Sequence, residues 1–190
     1  MKNYLLGVAL ATTAVIGSPA AAQTSESDAG ARFEFLTGFD RVSLDLGDLG
    51  IDDSIHDDGV TFGAVLGYDF AMGKGMLAGI DLEASESTIH EGDSTSGSIS
   101  VNRDFYAGGR LSFPVGARSK LYVKAGYSNL RVKAELGSAS ESDNLDGWRI
   151  GAGGQIIVAG QSYIGAEYRY SNYQSDVSRN QIVATLGTRF

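Results

Sequence analysis

The sequence predicts an all-β fold, an eight-stranded antiparallel up-and-down barrel. Eight stretches between Ala31 and Phe190 alternate apolar with polar residues, which is the period of a β-strand. Alternately short and long connections join these stretches, as in a meander of sequential hairpins. The chain has 26 glycines and only two prolines, and this composition without low-complexity tracts favours short sheet elements over disorder.

The last stretch, residues 181–190, indicates how the strands are arranged. Ile182, Ala184 and Leu186 lie on one face of this strand, whereas Val183 and Arg189 lie on the other. Because an open, half-apolar edge strand promotes aggregation, we expect this strand to pair with the first and close the barrel. The predicted strands are 31–40, 60–70, 76–85, 101–113, 121–133, 147–157, 163–173 and 181–190.

The connections between these strands fall into two classes. Short glycine-containing turns are expected near 72–75, 114–120 and 159–161, since hairpin turns favour glycine. Longer polar loops are expected at 42–58, 86–100 and 135–146, with a shorter one near 174–178.

The N-terminal 22 residues have the pattern of an export signal. A lysine precedes an apolar run, and small residues ending at Ala22 resemble a cleavage site. The alternative interpretation is a membrane-anchor helix, but the run is too short for one. We therefore predict a signal peptide at 1–22, a polar leader at 23–30 and the barrel at 31–190.

Composition restricts the possible chemistry. The chain contains no cysteine, so neither a disulfide framework nor a thiolate site is expected. Its formal net charge of −8 argues against a nucleic-acid partner. We expect no cofactor.

Alternation alone does not decide which face lies inside the barrel. A soluble lipocalin-like barrel would bury its apolar face, and a membrane barrel would expose that face to lipid. The apolar faces carry no charge in mid-strand, the opposite faces carry both signs in near balance, and most strand glycines share the charged face. Long charged side chains inside a narrow barrel need such glycines. These observations favour a transmembrane β-barrel with a polar interior.

Several strand motifs carry a resemblance to a known family. The stretches GAVLGYDF, LYVKAGYSNL and YIGAEYRYSNY, the short-turn and long-loop alternation and the terminal Phe190 resemble the small eight-stranded outer-membrane barrels of Gram-negative bacteria, of the OmpA, OmpX and opacity-protein type. The resemblance implies the outer membrane as location. It also implies that Phe190 belongs to the signal that the barrel-assembly machinery reads.

The interior charges are expected to form a closed network that plugs the lumen, because buried charges need partners and eight strands leave little free space. A narrow porin-like channel is the alternative. The residues predicted for the network are Glu34, Asp81, Glu83, Arg110, Lys124, Arg149, Glu167 and Arg169.

A basic rim is expected on the outward face. A turn centred on Ala117 would place Arg103 opposite Arg131, with Lys133 one step further out. Since like charges opposed across a strand pair are unfavourable, an anion is expected between them. We predict a contact with the phosphates of lipopolysaccharide at Arg103, Arg131 and Lys133.

Two further features of the outer loops leave alternatives open. The first loop holds six aspartates and could bind Ca²⁺, although their spacing matches no known calcium loop. His56 and His90 lie near Ser and acidic residues, which leaves a lipid A-modifying enzyme as a third function. The six aspartates are Asp45, Asp48, Asp52, Asp53, Asp57 and Asp58.

The sequence therefore predicts a monomeric outer-membrane barrel with both termini in the periplasm and four loops outside. Its expected role is structural or surface-interacting, without turnover chemistry. Its expected partners are outer-membrane lipids, lipopolysaccharide and, during biogenesis, the assembly machinery.

Overall fold

The computed structural model of the protein describes residues 28–45, 54–93, 97–136, 139–174 and 177–190, without the side chains of 44–45, 54–56, 90–93, 97–102, 133–136 and 139–141. Within these ranges no helix is long and apolar enough to cross a membrane. The strands are β1 (Gly30–Asp45), β2 (Ser54–Gly73), β3 (Met76–Ser87), β4 (His90–Asp93), β5 (Gly97–Pro114), β6 (Ser119–Leu136), β7 (Ala139–Ala159), β8 (Ser162–Tyr173) and β9 (Val177–Arg189).

The strands form a closed antiparallel ring. β1 pairs with β2 on one side and with β9 on the other, from Arg32 opposite Arg189 to Leu44 opposite Val177. β3 and β4 both pair with β5 and are two segments of one barrel strand, interrupted at Thr88 and Ile89. The barrel therefore has eight strands, and the predicted pairing of the last strand with the first is confirmed.

The apolar faces point outward. On β9, Ile182 is 61% exposed while its neighbour Val183 is 0% exposed. On β1, Phe35 is 59% exposed and Glu34 only 3% exposed. An outward apolar band around a polar interior is the arrangement of a membrane barrel, and it would be unfavourable in water.

Several predicted boundaries were wrong. β1 continues to Asp45, β4 lies inside the predicted second loop, and β6 and β7 occupy most of the predicted loop at 135–146. The prediction required one apolar face, which only the lipid-embedded part of a strand needs. Above the lipid both faces can be polar, so a strand can continue without the alternation.

The turn between β2 and β3 depends on its glycines. Gly73, Lys74 and Gly75 have φ values of 86°, 53° and 76°. Glycine adopts positive φ without steric cost, so two of the three positions are unstrained. This tight hairpin holds β2 and β3 in register at one end of the barrel.

Interior glycines also make room for tyrosine rings. A Cβ atom added at Gly153 would lie 2.6 Å from Cζ of Tyr122, and one added at Gly187 would lie 2.7 Å from Cε2 of Tyr163. Both tyrosines are buried inside the barrel. The glycines on the charged face therefore accommodate aromatic rings as well as long charged chains.

Candidate functional site

The end of the lumen near the short turns contains a cluster around Arg32. Its guanidinium lies 2.9 Å from Glu34, 3.2 Å from Asp69 and 2.5 Å from Asp81. Arg110 reaches the same Glu34 carboxylate at 3.0 Å. All five side chains are buried, so each charge is compensated by neighbours from other strands.

The middle of the lumen is organised by two glutamates. Glu83 accepts hydrogen bonds from Arg169 at 2.6 Å, Arg149 at 3.2 Å and Lys124 at 3.4 Å. Glu167 lies 2.8 Å from Arg169 and 2.9 Å from Lys124. Two acids thus share three bases in a continuous network across the barrel.

Nearer the long-loop end, Asp104 and Asp40 hold the next layer. Arg179 donates to Asp40 at 2.7 Å and to Asp104 at 2.5 Å. Arg149 also donates to Asp104, which joins this layer to the glutamates below. The guanidinium of Arg179 is fully buried between the two aspartates.

All eight residues predicted for the interior network are buried and joined by ion pairs. Arg179 was missed, because the eighth strand was predicted to begin only at Gln181. The spacing could have indicated it, because Arg179 lies two residues before Gln181 and four before Val183. In a continued strand it therefore points to the same inner face. The described buried bases are Arg32, Arg110, Lys120, Lys124, Arg149, Arg169, Arg179 and Arg189, against the acids Glu34, Asp40, Asp69, Asp81, Glu83, Asp104 and Glu167.

The described interior therefore holds eight buried bases and seven buried acids. Among these bases, Lys120 pairs with Asp28, an exposed residue at the short-turn end. With this outer partner counted, little excess charge remains that would require a mobile counter-ion.

An apolar cluster lies at the long-loop end of the lumen. Ile89, Leu130 and Tyr173 are buried at its centre, and partly buried aliphatic side chains pack around them. Sequence reasoning missed this cluster, because four of its seven members lie in stretches that were predicted to be loops. The surrounding side chains are Val42, Val132, Leu145 and Val177.

The predicted basic rim lies on β5 and β6. Arg103 is directly opposite Arg131, and both point outward. The backbone of Lys133 pairs with Ser100 further toward the long-loop end, and its side chain is outside the described residues. Arg103 and Arg131 are therefore the two rim residues whose side chains the structure describes.

The β6–β7 hairpin projects beyond β8. It is paired up to Leu136 opposite Ala139, whereas β8 pairs with β7 only as far as Gly147 opposite Tyr173. Beyond that point the outer edge of β7 accepts one further bond from the described residues, from Gln174 to Asp146, and is otherwise unpaired within them over 139–145. On the other side β5 pairs with β6 as far as Ser98 opposite Glu135, so β7 is the edge strand of a sheet that rises above β8.

The remaining loop predictions fall largely outside the described residues. The side chains of His56, His90 and Asp45 are not described, and Asp48, Asp52 and Asp53 lie in an undescribed range. Asp58 is exposed and pairs with Arg41 at 2.6 Å, and Asp57 is half-buried. Within the described part of the chain, no group of three His, Cys, Asp or Glu side chains could hold a metal ion.

The fold and the polar lumen define the class of protein, a bacterial outer-membrane β-barrel. Residues 8–190 match the family described as "Outer membrane protein beta-barrel domain", and the chain belongs to that family. A search of the curated proteins found no match.

Three solved structures share the fold at low sequence identity. Neisserial surface protein A is 17% identical with a TM-score of 0.64, and the match covers 87% of this chain and 100% of that one. Ail, the attachment invasion locus protein of Yersinia pestis, is 19% identical with a TM-score of 0.59, covering 85% and 99%. The N-terminal barrel domain of Pseudomonas aeruginosa OprF is 13% identical with a TM-score of 0.51, covering 83% and 97%.

Proposed function

We propose that this protein is a non-conducting, non-enzymatic barrel that presents its outer hairpins for interaction at the cell surface. The observation that supports this proposal is the buried ion-pair network inside the barrel. Ion-paired side chains occupy the lumen from Arg32 to Arg179, and the apolar cluster around Leu130 lies across its outer end. A pathway for solutes would require these paired, desolvated charges to separate, which is costly.

The projecting β6–β7 hairpin supports the surface role. The edge of β7 at 139–145, unpaired within the described residues, offers backbone groups and exposed polar side chains to a partner. Asp143 and Asn144 are exposed there. Two proteins of this fold have names that refer to the surface or to attachment, Neisserial surface protein A and the attachment invasion locus protein.

The proposal also includes the export of the protein and its assembly in the outer membrane. Residues 1–22 act as a cleaved export signal, both termini lie in the periplasm, and the barrel works as a monomer. Phe190 is 74% exposed at the short-turn end, where the assembly machinery would reach it. The alternative functions are a narrow channel, which the buried ion-pair network disfavours, and a lipid A-modifying enzyme, which would need His56 or His90.

Single-cysteine labelling tests the surface role, because the native chain has no cysteine. We expect Asn144→Cys on the β6–β7 hairpin to react with a membrane-impermeant biotin maleimide on intact cells. Streptavidin bound there should then lower attachment of the cells to a cultured epithelial layer, toward that of cells lacking the protein.

The matched control is Ala117→Cys in the exposed turn at the opposite end of the barrel. It should react only after the outer membrane is permeabilised. Labelling of Ala117→Cys on intact cells would contradict the orientation. Full attachment after streptavidin binding at Asn144→Cys would contradict the surface-interaction role of this hairpin.

A further inference from the structure

The outward face of β5 and β6 carries two opposed basic side chains. Arg103 and Arg131 are directly opposed. The Arg103 guanidinium lies 4.5 Å from the centroid of the Phe105 ring, and Arg131 donates to Ser142 at 2.9 Å. Among the described residues neither arginine forms an ion pair. Two opposed cations of this kind favour an anion bound between them.

One carboxylate lies beside this pair. Glu86 on β3 is opposite Arg103 on the side away from Arg131. It forms no ion pair with Arg103 in the described structure, and the two arginines together with Glu86 keep a net positive charge. Glu86 also provides a test, because its negative charge should oppose the binding of an anion.

An open groove lies lower on the outward face and is lined by residues of β3, β5, β6, β7 and β8. Gly109 on β5 and Ala125 on β6 are directly paired and contribute to its floor together with Ala152. Larger side chains border it, among them Leu111 and Tyr168. Its volume is about 750 Å³, and it opens on the outward, lipid-facing side of the barrel. A concave apolar surface of this kind is suited to a hydrocarbon chain.

The distance between the arginine pair and the groove, measured along the membrane normal, matches the thickness of the hydrocarbon in one leaflet. Gly109 follows Arg103 by six residues on β5, which corresponds to about 20 Å along an extended strand. In a barrel strand tilted by roughly 40°, that length descends about 15 Å toward the membrane centre. Half of a hydrocarbon core that is about 30 Å thick has the same depth.

We propose that Arg103, Arg131 and the groove at Gly109 and Ala125 form one site for a phosphorylated acyl lipid of the outer leaflet, the lipid A part of lipopolysaccharide. The two guanidinium groups bind a phosphate, for which arginine is well suited. One acyl chain follows β5 and β6 downward and lies in the groove. The site does not depend on the proposed surface role, since its ligand belongs to the same membrane.

The test measures lipid A binding by the full-length barrel in a neutral detergent, by native mass spectrometry, with bis-phosphorylated lipid A as the probe. We expect Arg103→Gln combined with Arg131→Gln to weaken binding about tenfold or more, because hydrogen bonds to charged groups are lost. Glu86→Gln should strengthen binding by removing a repulsive charge. Dephosphorylated lipid A should bind the native protein as weakly as the arginine variant binds the intact lipid.

The groove is tested separately by Gly109→Leu. A Cβ atom at Gly109 would meet nothing closer than a backbone oxygen at 3.9 Å, so the new side chain fills the groove without displacing the backbone. We expect this variant to weaken binding of lipid A severalfold while keeping its dependence on phosphate. Heat-dependent gel mobility verifies that every variant is folded.

Two control variants match these changes at other positions. Arg118→Gln alters an exposed arginine on the opposite rim, and Ala184→Leu enlarges an outward side chain on β9. Both should bind lipid A like the native protein. Unchanged binding in the arginine variant or in Gly109→Leu would overturn the proposal, and so would equal losses in the controls. Equally tight binding of phosphatidylglycerol would overturn the assignment to lipid A.

Discussion

Replacing Glu83 by glutamine is expected to lower the free energy of unfolding of the barrel by about 3–5 kcal/mol. Glu83 is buried and accepts hydrogen bonds from Arg149, Arg169 and Lys124, so its neutralisation leaves excess positive charge in a desolvated interior. Glutamine keeps the size of the side chain, and packing is therefore nearly unchanged. Urea unfolding in lipid vesicles, followed by gel mobility, measures the effect.

The control for this prediction is the exposed ion pair of Arg41 with Asp58. Asp58→Asn removes one carboxylate charge, as Glu83→Gln does, but water solvates both partners there. Exposed pairs contribute little to stability, so we expect no clear change in the unfolding midpoint. Similar midpoints for the two variants would show that the interior charges are not desolvated.

Replacing Arg179 by methionine is expected to cost a similar amount, about 3–5 kcal/mol, because it leaves two buried aspartates without their shared base. Arg179 donates to Asp40 at 2.7 Å and to Asp104 at 2.5 Å. Asp104 keeps Arg149, whereas among the described residues Asp40 keeps the hydroxyl of Ser87 alone.

A double-mutant cycle isolates this interaction. Asp40→Asn in the Arg179→Met background should recover part of the lost stability, since it removes the unpaired charge. The combined cost should therefore be clearly smaller than the sum of the two single costs. Additive costs would mean that Asp40 and Arg179 do not interact, and would contradict the outermost layer of the network.

The sequence was sufficient to predict the lipid-embedded part of the barrel, because lipid requires an uncharged outward face there. The alternation in 181–190 predicted both the face assignment of Ile182 and Val183 and the closure onto β1. The register of β5 and β6 at the rim could also be predicted, since a single short turn determines which of their residues are opposite.

The parts above the lipid were not predictable in the same way. Residues 140–144 are polar on both faces, so their strand conformation leaves no alternation to detect. For the same reason the eighth strand was predicted to begin too late, and Arg179 was assigned to no strand. The apolar cluster around Leu130 was missed because its members come from five separate strand ends and from Ile89.

The sequence also did not predict which base pairs with which acid inside the lumen. Arg32 is 49 residues from Asp81 and reaches it across two strand pairs. Such pairs depend on the stagger of all strands around the ring and on the side-chain rotamers. The alternation identified the interior set, but it did not identify which base binds which acid.

We propose that the paired charges and the apolar cluster close this barrel to solutes. The most direct test of this closure is the conductance of the folded, purified protein in a planar lipid bilayer, with folding verified by the mobility difference between heated and unheated samples. We predict that the folded barrel produces no discrete current steps, because paired charges and the apolar cluster occupy the lumen. Reproducible single-channel steps that change in size in Glu83→Gln would contradict this claim and would identify the interior network as the lining of a channel.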